Sequence, residues 1–304
     1  FMLKVLACLL LALGAQPAWA QTAQSLGQVP GLLKTPESRQ VFAQQMEGKP
    51  AHDPLGTRLP AGLSAKRIAA LLLPAGGTEP LNAVGAKPLP GAAGTYVAIV
   101  CTGGNIPKAP DDPPCIHYEY GGPPVPPLHA YLGLIAARPG GVPRLLARPV
   151  RTGGLVNWRT TNLPTVPQAL DQASGDSIRP DSYDRWDLAP YIIAPHQRAF
   201  GVRGGWSEGY SGGMADYGAL YLFAVVHGAL RQVFAAPMSS YRDTAGSWHK
   251  NGTRTHHIKT GANILIVSTR STNGHFDLLL KSRLGHWQRL YRWSAKDGRY
   301  RPVR

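Results

Sequence analysis

A glycine-rich segment contains the pattern Gly-x-Ser-x-Gly at residues 209–213. This pattern is typical of hydrolases in which a strand, a tight elbow and a helix expose a serine nucleophile beside N–H groups that bind an oxyanion. Ser211 would then be the nucleophile, and a later histidine such as His256 would be the base. The glycines upstream and the apolar, strand-like run downstream favour a chance match within a loop, so we assign no catalytic residue.

Imidazoles and a carboxylate are concentrated in the polar stretch 239–260, which contains Asp243, His249, His256 and His257. Such side chains serve as metal ligands or as general acids and bases. Adjacent residues of a strand point to opposite faces, so only one of the two neighbouring histidines can join a given site. The stretch lacks the His-x-His and His-Glu-x-x-His spacings. We therefore interpret it as a solvated polar loop or strand edge and predict no bound metal.

Residues 273–278 resemble the end of the calcium-binding loops in FG-GAP-type β-propeller blades. In those loops an Asn or Asp, a glycine, two further residues and an aspartate precede a strand. Calcium requires several oxygen ligands at alternating positions, and Thr269 and Ser271 stand here in place of carboxylates. We therefore interpret Asp277 as the cap of a turn before a strand, and we predict no cofactor.

Large aromatic and charged side chains lie among five glycines in residues 203–217. Flat side chains on a glycine-rich loop suit contact with a sugar, a peptide or a partner surface. The alternative is a connector whose aromatic residues cover the edge of the core. Together with side chains of the polar stretch, the candidate binding residues are Arg203, Trp206, Glu208, Tyr210, Asp243, Trp248 and His256.

Residues 198–302 combine this loop with Ser-Trp-His at 247–249, Thr-His-His at 255–257 and the segment 273–280. In these features the chain resembles a family of uncharacterised exported proteins of proteobacteria. The resemblance implies a periplasmic or secreted location, and it implies no activity and no catalytic residues.

The elements that would position these residues are mostly short strands. The chain contains 35 Gly and 28 Pro, a composition that favours frequent turns and disfavours long helices. Short apolar runs between turn residues are typical of strands. These runs lie at residues 95–101, 115–120, 130–137, 144–150, 190–194, 199–203, 218–226, 230–236, 263–269, 276–282 and 287–293. We predict a mainly β fold of antiparallel hairpin repeats, propeller-like or sandwich-like, with one or two short N-terminal helices.

The two helices are predicted in the polar N-terminal part of the chain. One begins near Pro36 and continues to Met46. The other runs from Ser64, which is placed as an N-cap, to Leu73, and Pro74 ends it. The domain organisation is therefore a lead-in at residues 21–75 and a β-rich domain at residues 76–304.

The β-rich domain contains an internal similarity between residues 131–149 and residues 219–237, aligned without a gap. Both segments have the pattern of a strand, a glycine turn and a second strand. A duplicated β unit would give two related halves, at about residues 90–165 and 185–304. Chance agreement between two apolar hairpins is the alternative.

The first 20 residues have the features of a secretory signal peptide. Lys4 precedes an apolar stretch, and Ala18-Trp19-Ala20 places small residues where a signal peptidase requires them. The stretch is about half of the roughly 20 residues that span a bilayer, so a membrane anchor is the weaker interpretation. Lipid attachment at Cys8 is disfavoured because Cys8 lies too close to Lys4. We predict cleavage after Ala20, a periplasmic or secreted location, and no transmembrane segment after processing.

Removal of the leader would leave Cys101 and Cys115 as the remaining cysteines. Paired cysteines of exported proteins form disulfides. We therefore predict this bridge, and closing a loop of about 15 residues stabilises a fold by about 3 kcal/mol in the chain-entropy model. Two free thiols or a redox site are the alternatives, although the spacing differs from Cys-x-x-Cys.

The chain is strongly basic. Its net charge of +15 becomes +14 when Lys4 leaves with the leader. A positive field of this kind attracts anionic partners, although a generally solvated basic surface is also consistent with it. We predict an exported, β-rich binding or accessory protein of the cell envelope, whose partner is an anionic envelope polymer or a protein and not a specific nucleic acid. The alternative is a secreted serine- or His-dependent hydrolase.

Overall fold

The computed structural model describes residues 28–32, 39, 53–76, 78–108, 113–118, 124–138 and 140–303. The predicted signal peptide and nearly all of the helix predicted near Pro36 lie outside these residues. The chain divides into two compact units, residues 1–52 and residues 53–304. In the first unit, helix α1 spans Val29–Leu32. All the elements that follow belong to the second unit.

Helix α2, Ala65–Leu72, confirms the second predicted helix. Ser64 is its N-cap, because the Ser64 Oγ accepts a hydrogen bond from the Arg67 backbone N–H at 3.4 Å. Short polar side chains satisfy free N–H groups in this way at helix starts. The helix ends as Leu73 becomes extended, since the ring of Pro74 disfavours helical backbone in the preceding residue.

Within the described residues, fifteen strands form two large sheets and one small pair. The first sheet contains β1 Leu81–Pro88, β2 Thr95–Thr102, β3 His129–Ala136, β4 Arg144–Leu145 and β5 Val150–Arg151. The small pair is β6 Val156–Asn157 and β7 Ser177–Ile178, and helix α3, Ala169–Gln172, lies between them in the chain. The second sheet contains β8 Ser182–Ala194, β9 Gln197–Tyr210, β10 Gly213–Val226, β11 Ala229–Trp248, β12 Arg254–Thr272, β13 His275–Ser282, β14 Gln288–Ser294 and β15 Arg299–Pro302.

Both sheets are antiparallel and follow chain order. In the first sheet the order is β1-β2-β3-β4, and β5 also pairs with β3. In the second, each strand from β8 to β15 pairs with its neighbour in the sequence. This architecture confirms the predicted fold class.

The strands differ from the prediction in extent. Strands β9 and β10 have 14 residues each, β12 has 19 and β11 has 20, whereas the apolar runs indicated five to nine. Strand β1 had no sequence assignment. The strand predicted at residues 115–120 is wrong in its described part, where Ile116 makes an isolated bridge to Ser182. The strand predicted at 144–150 is divided into β4 and β5.

Glycines in the long strands explain why the lengths of these strands were underestimated. A Cβ at Gly204 would lie 2.9 Å from Tyr221 Cε2, and one at Gly201 would lie 2.7 Å from Leu220 Cδ1. These positions are glycine because neighbouring side chains fill the space above the backbone. The predicted loop at residues 203–217 is therefore wrong: β9 and β10 form this segment, with a two-residue turn between them.

Alternation along β2 shows how the layers stack. Val97 and Ile99 pack into a central core between the two sheets, whereas Ala98 and Val100 pack against α2 in a helix-side core. The outer faces of β9 to β11 contribute to a third cluster, the outer core, which β13 to β15 cover. Strands with two buried faces have continuous apolar sequences, as in residues 219–226. The two sheets thus pack face to face, as in a sandwich.

The outer core exists because the second sheet bends back on itself at β12. Residues 254–262 pair with β11, whereas residues from Asn263 onward pair with β13. At the bend, the side-chain amides of Asn263 and Asn162 exchange hydrogen bonds of 2.9 and 3.0 Å. The pairing of β11 with β12 begins at Ser239, so the preceding part of β11 borders a cleft under β13 to β15.

The predicted disulfide joins Cys101 of β2 to Cys115, with Cα atoms 5.5 Å apart and both residues buried. Asn82 of β1 holds the same loop. Its Oδ1 accepts a hydrogen bond from the Cys115 N–H at 2.7 Å, and its Nδ2 donates to the carbonyl oxygens of Gly103 and Asn105. In the part of the chain that is described, no helix has the length and apolar character needed to cross a membrane.

The two segments with internal sequence similarity both form hairpins, β3–β4 and β10–β11. Their turns contain Gly140 and Gly228, with φ values of 71° and 72°. The hairpins also touch, because the Arg148 N–H donates to the Gly228 carbonyl and the Arg148 carbonyl accepts from the Leu230 N–H. The duplication and the division into lead-in and two halves stay predictions.

Candidate functional site

Two of the candidate binding residues are structural. Trp206 is 2 % exposed, donates its Nε1–H to the Arg179 carbonyl at 2.6 Å, and packs edge-on against Trp158. The Arg203 guanidinium donates to an Asp187 carboxylate oxygen from Nε at 2.8 Å and from Nη2 at 2.5 Å. Both residues lie in β9 and not in a loop; Trp206 is buried, Arg203 is half-buried, and a binding role for them stays a prediction.

Glu208 attaches a connecting segment to the second sheet, and Tyr210 bonds within that sheet. One Glu208 oxygen accepts the Gln168 backbone N–H, and the other lies 3.5 Å from Arg242 Nη2. The Tyr210 hydroxyl donates to the carbonyl oxygens of Met214 and Asp243 at 3.1 and 3.3 Å. The Glu208 contact holds the backbone before α3 against the second sheet, whereas Tyr210 links β9 to β10 and β11.

Asp243, Trp248 and His256 lie near the end of the β11–β12 hairpin. His256 Nδ1 is 2.8 Å from an Asp243 carboxylate oxygen. Trp248 is 69 % exposed, and Arg254 lies over its ring at 5.2 Å. The predicted polar loop at residues 239–260 is thus largely a long hairpin. A binding role of these three residues stays a prediction.

The predicted residues therefore divide between two faces of one sheet. Glu208 and Arg242 both pair with Ala215 and share the face toward the central core. Asp243 follows Arg242 and points to the opposite face, because neighbouring residues of a strand alternate. The seven residues do not form one surface.

Ser211 lies in the two-residue turn between β9 and β10, and it is exposed. The Ala245 N–H donates to the Gly212 carbonyl at 2.8 Å, which anchors this turn to the neighbouring hairpin. A nucleophile elbow requires a helix after the serine, and here a strand follows. Within the described residues, no three His, Cys, Asp or Glu side chains group as metal ligands would.

The turn before β13 is formed by Asn273 and Gly274, with φ values of 51° and 77°. Asp277 does not cap this turn, and that prediction is wrong. It lies inside β13, is 3 % exposed, and places one carboxylate oxygen 3.8 Å from Arg292 Nε. Asn273 stabilises the turn instead, since its Nδ2 donates to the Trp293 carbonyl at 3.0 Å.

A cleft with a volume of about 630 Å³ lies under β13 to β15. Its floor is apolar, and Phe234 of β11 packs edge-on against Tyr291 of β14 at 5.0 Å. Its polar wall includes Asn157 of β6, Ser177 of β7 and Gln232 of β11. Elements distant in the sequence thus meet around one space of the size that takes small ligands or part of a polymer.

The cleft is cationic. Arg289, Arg299 and Arg301 line it, and no Asp or Glu is among its described lining residues. Arg289 lies over the Trp287 ring at 5.5 Å. Arg301 donates its Nε–H to an Asp297 carboxylate oxygen at 2.9 Å. This hydrogen bond lowers the pKa of Asp297.

Arg289 also acts on the floor of the cleft. Burial raises the pKa of Tyr291, and Arg289 opposes this shift in part. The Tyr291 hydroxyl therefore stays protonated at neutral pH and can donate a hydrogen bond. Guanidinium groups beside flat apolar surfaces suit a ligand that carries an anionic group on a ring or sugar.

No local sequence pattern predicted this cleft. The available signal was the alternation of arginine and aromatic residues at residues 287–301. That pattern alone is equally typical of an exposed strand. Strands β14 and β15 form one wall of a cleft only because β12 bends.

Comparisons with protein-family models, with curated proteins and with solved structures find no match to this chain.

Proposed function

We propose that the chain is an exported binding protein of the cell envelope and that its arginine-lined cleft holds an anionic envelope polymer. One observation carries this proposal: three arginines and an aromatic floor line a cleft of about 630 Å³ that has no carboxylate among its described lining residues. Arginine presents planar, permanently charged donors that match carboxylate and phosphate groups.

One sequence feature and one structural feature support the envelope location. The leader pattern favours export, and the Cys101–Cys115 pair lies at disulfide distance, as is usual for proteins of oxidising compartments. The net charge of +15 gives a long-range attraction to polyanions in addition to the local contacts in the cleft.

The proposal is tested by binding of the purified protein to immobilised lipopolysaccharide and polygalacturonate, with neutral dextran as the uncharged comparison. The test variant is Arg289→Gln/Arg299→Gln. The matched control is Arg67→Gln/Arg270→Gln, which removes the same charge from two exposed positions outside the cleft.

Each charge-assisted hydrogen bond contributes about 1.5–3 kcal/mol, so the cleft variant should bind an anionic polymer at least about tenfold more weakly. The control variant should lose much less, because exposed charges are screened by salt. Equal losses in the two variants would show that charge alone drives retention and would refute the cleft as the site.

A further inference from the structure

A second, smaller cavity of about 130 Å³ lies beside the first sheet. Basic side chains from three segments line it: the imidazole of His129, which begins β3, and the guanidinium groups of Arg151, which ends β5, and Arg179, which follows β7. None of its described lining residues is Asp or Glu. The volume is several times the roughly 30 Å³ of one water molecule, which is enough for a single phosphate, sulfate or carboxylate group.

Neutral groups complete this cavity. Tyr183 is 4 % exposed, and burial raises its pKa to about 12, so its hydroxyl remains a donor at neutral pH. Arg179 Nε donates to the Gly153 carbonyl at 3.2 Å, which leaves the other guanidinium nitrogens available to a ligand. His129 Nε2 lies 3.7 Å from Glu79 Oε1, and Glu79 does not line the cavity.

One hydrogen bond joins the lining of the small cavity to the lining of the cleft. Thr152 lines the cavity, Gln232 lines the cleft, and the Thr152 Oγ1 donates to the Gln232 Oε1 at 3.3 Å. Along the chain, Leu155 of the cleft follows Arg151 by four residues. Four extended residues span at most about 14 Å, so the backbone at one wall of the cavity lies within that distance of the backbone at one wall of the cleft.

From this arrangement we infer that the small cavity is a second anion subsite for the ligand of the cleft, and that this ligand is a linear polyanion. The inference rests on the proposed function, because it requires that the cleft binds part of the same polyanion. Once one anionic group is held in the cleft, binding of the next group is intramolecular, and linked sites of this kind gain about 10²- to 10⁴-fold in affinity.

The test is a length series of two probes, oligogalacturonate and inorganic polyphosphate, each from the shortest member to chains longer than about 14 Å. A maltooligosaccharide series is the uncharged comparison. Affinities are measured by calorimetry for the wild type, for Arg151→Gln/Arg179→Gln and for the cleft variant Arg289→Gln/Arg299→Gln. The conservative double variant Arg151→Lys/Arg179→Lys keeps the charge of the small cavity.

For the wild type we expect a step of at least about tenfold once the chain is long enough to reach both spaces. The Arg151→Gln/Arg179→Gln variant should lose the step and keep the affinity for the shortest chains, and the lysine variant should retain part of the step. A step in one probe series only would support the subsite and identify its preferred anion as carboxylate or phosphate.

Two different failures are distinguishable. A step of unchanged size in Arg151→Gln/Arg179→Gln, or smoothly rising affinity with no step, would overturn the second subsite and leave the proposed function standing. Unchanged affinity for short chains in the cleft variant would overturn the proposed function and the subsite with it.

Discussion

Replacement of Asp181 by asparagine is expected to stabilise the fold at and above neutral pH. Asp181 joins the small β6–β7 pair to β8, and its backbone is fixed by hydrogen bonds to the Gly205 carbonyl and from the His117 N–H. Burial raises the pKa of its carboxyl group from 3.8 to about 7, and the negative charge of Glu208 adds to this shift.

The sign of the effect follows from proton linkage. An acid with a higher pKa in the folded chain than in the unfolded chain binds its proton more tightly when folded. Its contribution to stability is therefore complete below about pH 4 and is lost as the pH rises through about 7. The difference between 3.8 and about 7 corresponds to a loss of at most about 4 kcal/mol at 1.36 kcal/mol for each pH unit.

Asparagine has nearly the same shape and does not titrate. The free energy of unfolding, measured in urea from about pH 4 to about pH 8, should be similar for wild type and Asp181→Asn at the acid end. It should exceed the wild-type value at the alkaline end by up to about 4 kcal/mol. Asp171→Asn, at an exposed position of α3, is the matched control and should follow the wild type. Parallel wild-type and Asp181→Asn curves over the whole range would show that folding does not change the proton affinity of the Asp181 carboxyl group.

Three further predictions concern strands, disulfide and serine. Gly204→Ala should lower the free energy of unfolding by about 1–3 kcal/mol, because its Cβ would lie 2.9 Å from an aromatic ring carbon; Gly209→Ala, with no atom within 4 Å of the new Cβ, should change it little. Replacing both Cys101 and Cys115 by alanine should cost about 3 kcal/mol in urea unfolding, and a thiol assay of the unfolded wild type should find both oxidised. Ser211 should not react with a fluorophosphonate, and a covalent adduct that is lost in Ser211→Ala would restore the hydrolase alternative.

Local chemistry explains what could be predicted from the sequence. Ser64 and Pro74 bound α2 because a cap and a proline act on adjacent backbone groups. The apolar runs identify strands because alternating or continuous burial leaves a local pattern. The disulfide was predicted from two cysteines and the expectation of export, since pairing requires only that the chain brings them within reach.

The extent of the strands required the tertiary structure. A glycine is locally a turn former, and only the packing of Tyr221 above Gly204 shows why it lies in the middle of β9. Trp206 lies among glycines and polar residues that are typical of a binding loop. Packing between strands makes it a core residue.

The β class, the capped helix, the cysteine pair and the positive charge can be predicted from residue types and from neighbours in the chain. The cleft was decided by tertiary structure alone. Gln232 and Arg289 lie far apart in the sequence, and they meet because β12 leaves β11 at Asn263 and carries β13 to β15 over the outer core. A bend between two sheet pairings has no local signature, since the side chains on either side of it alternate as in any strand.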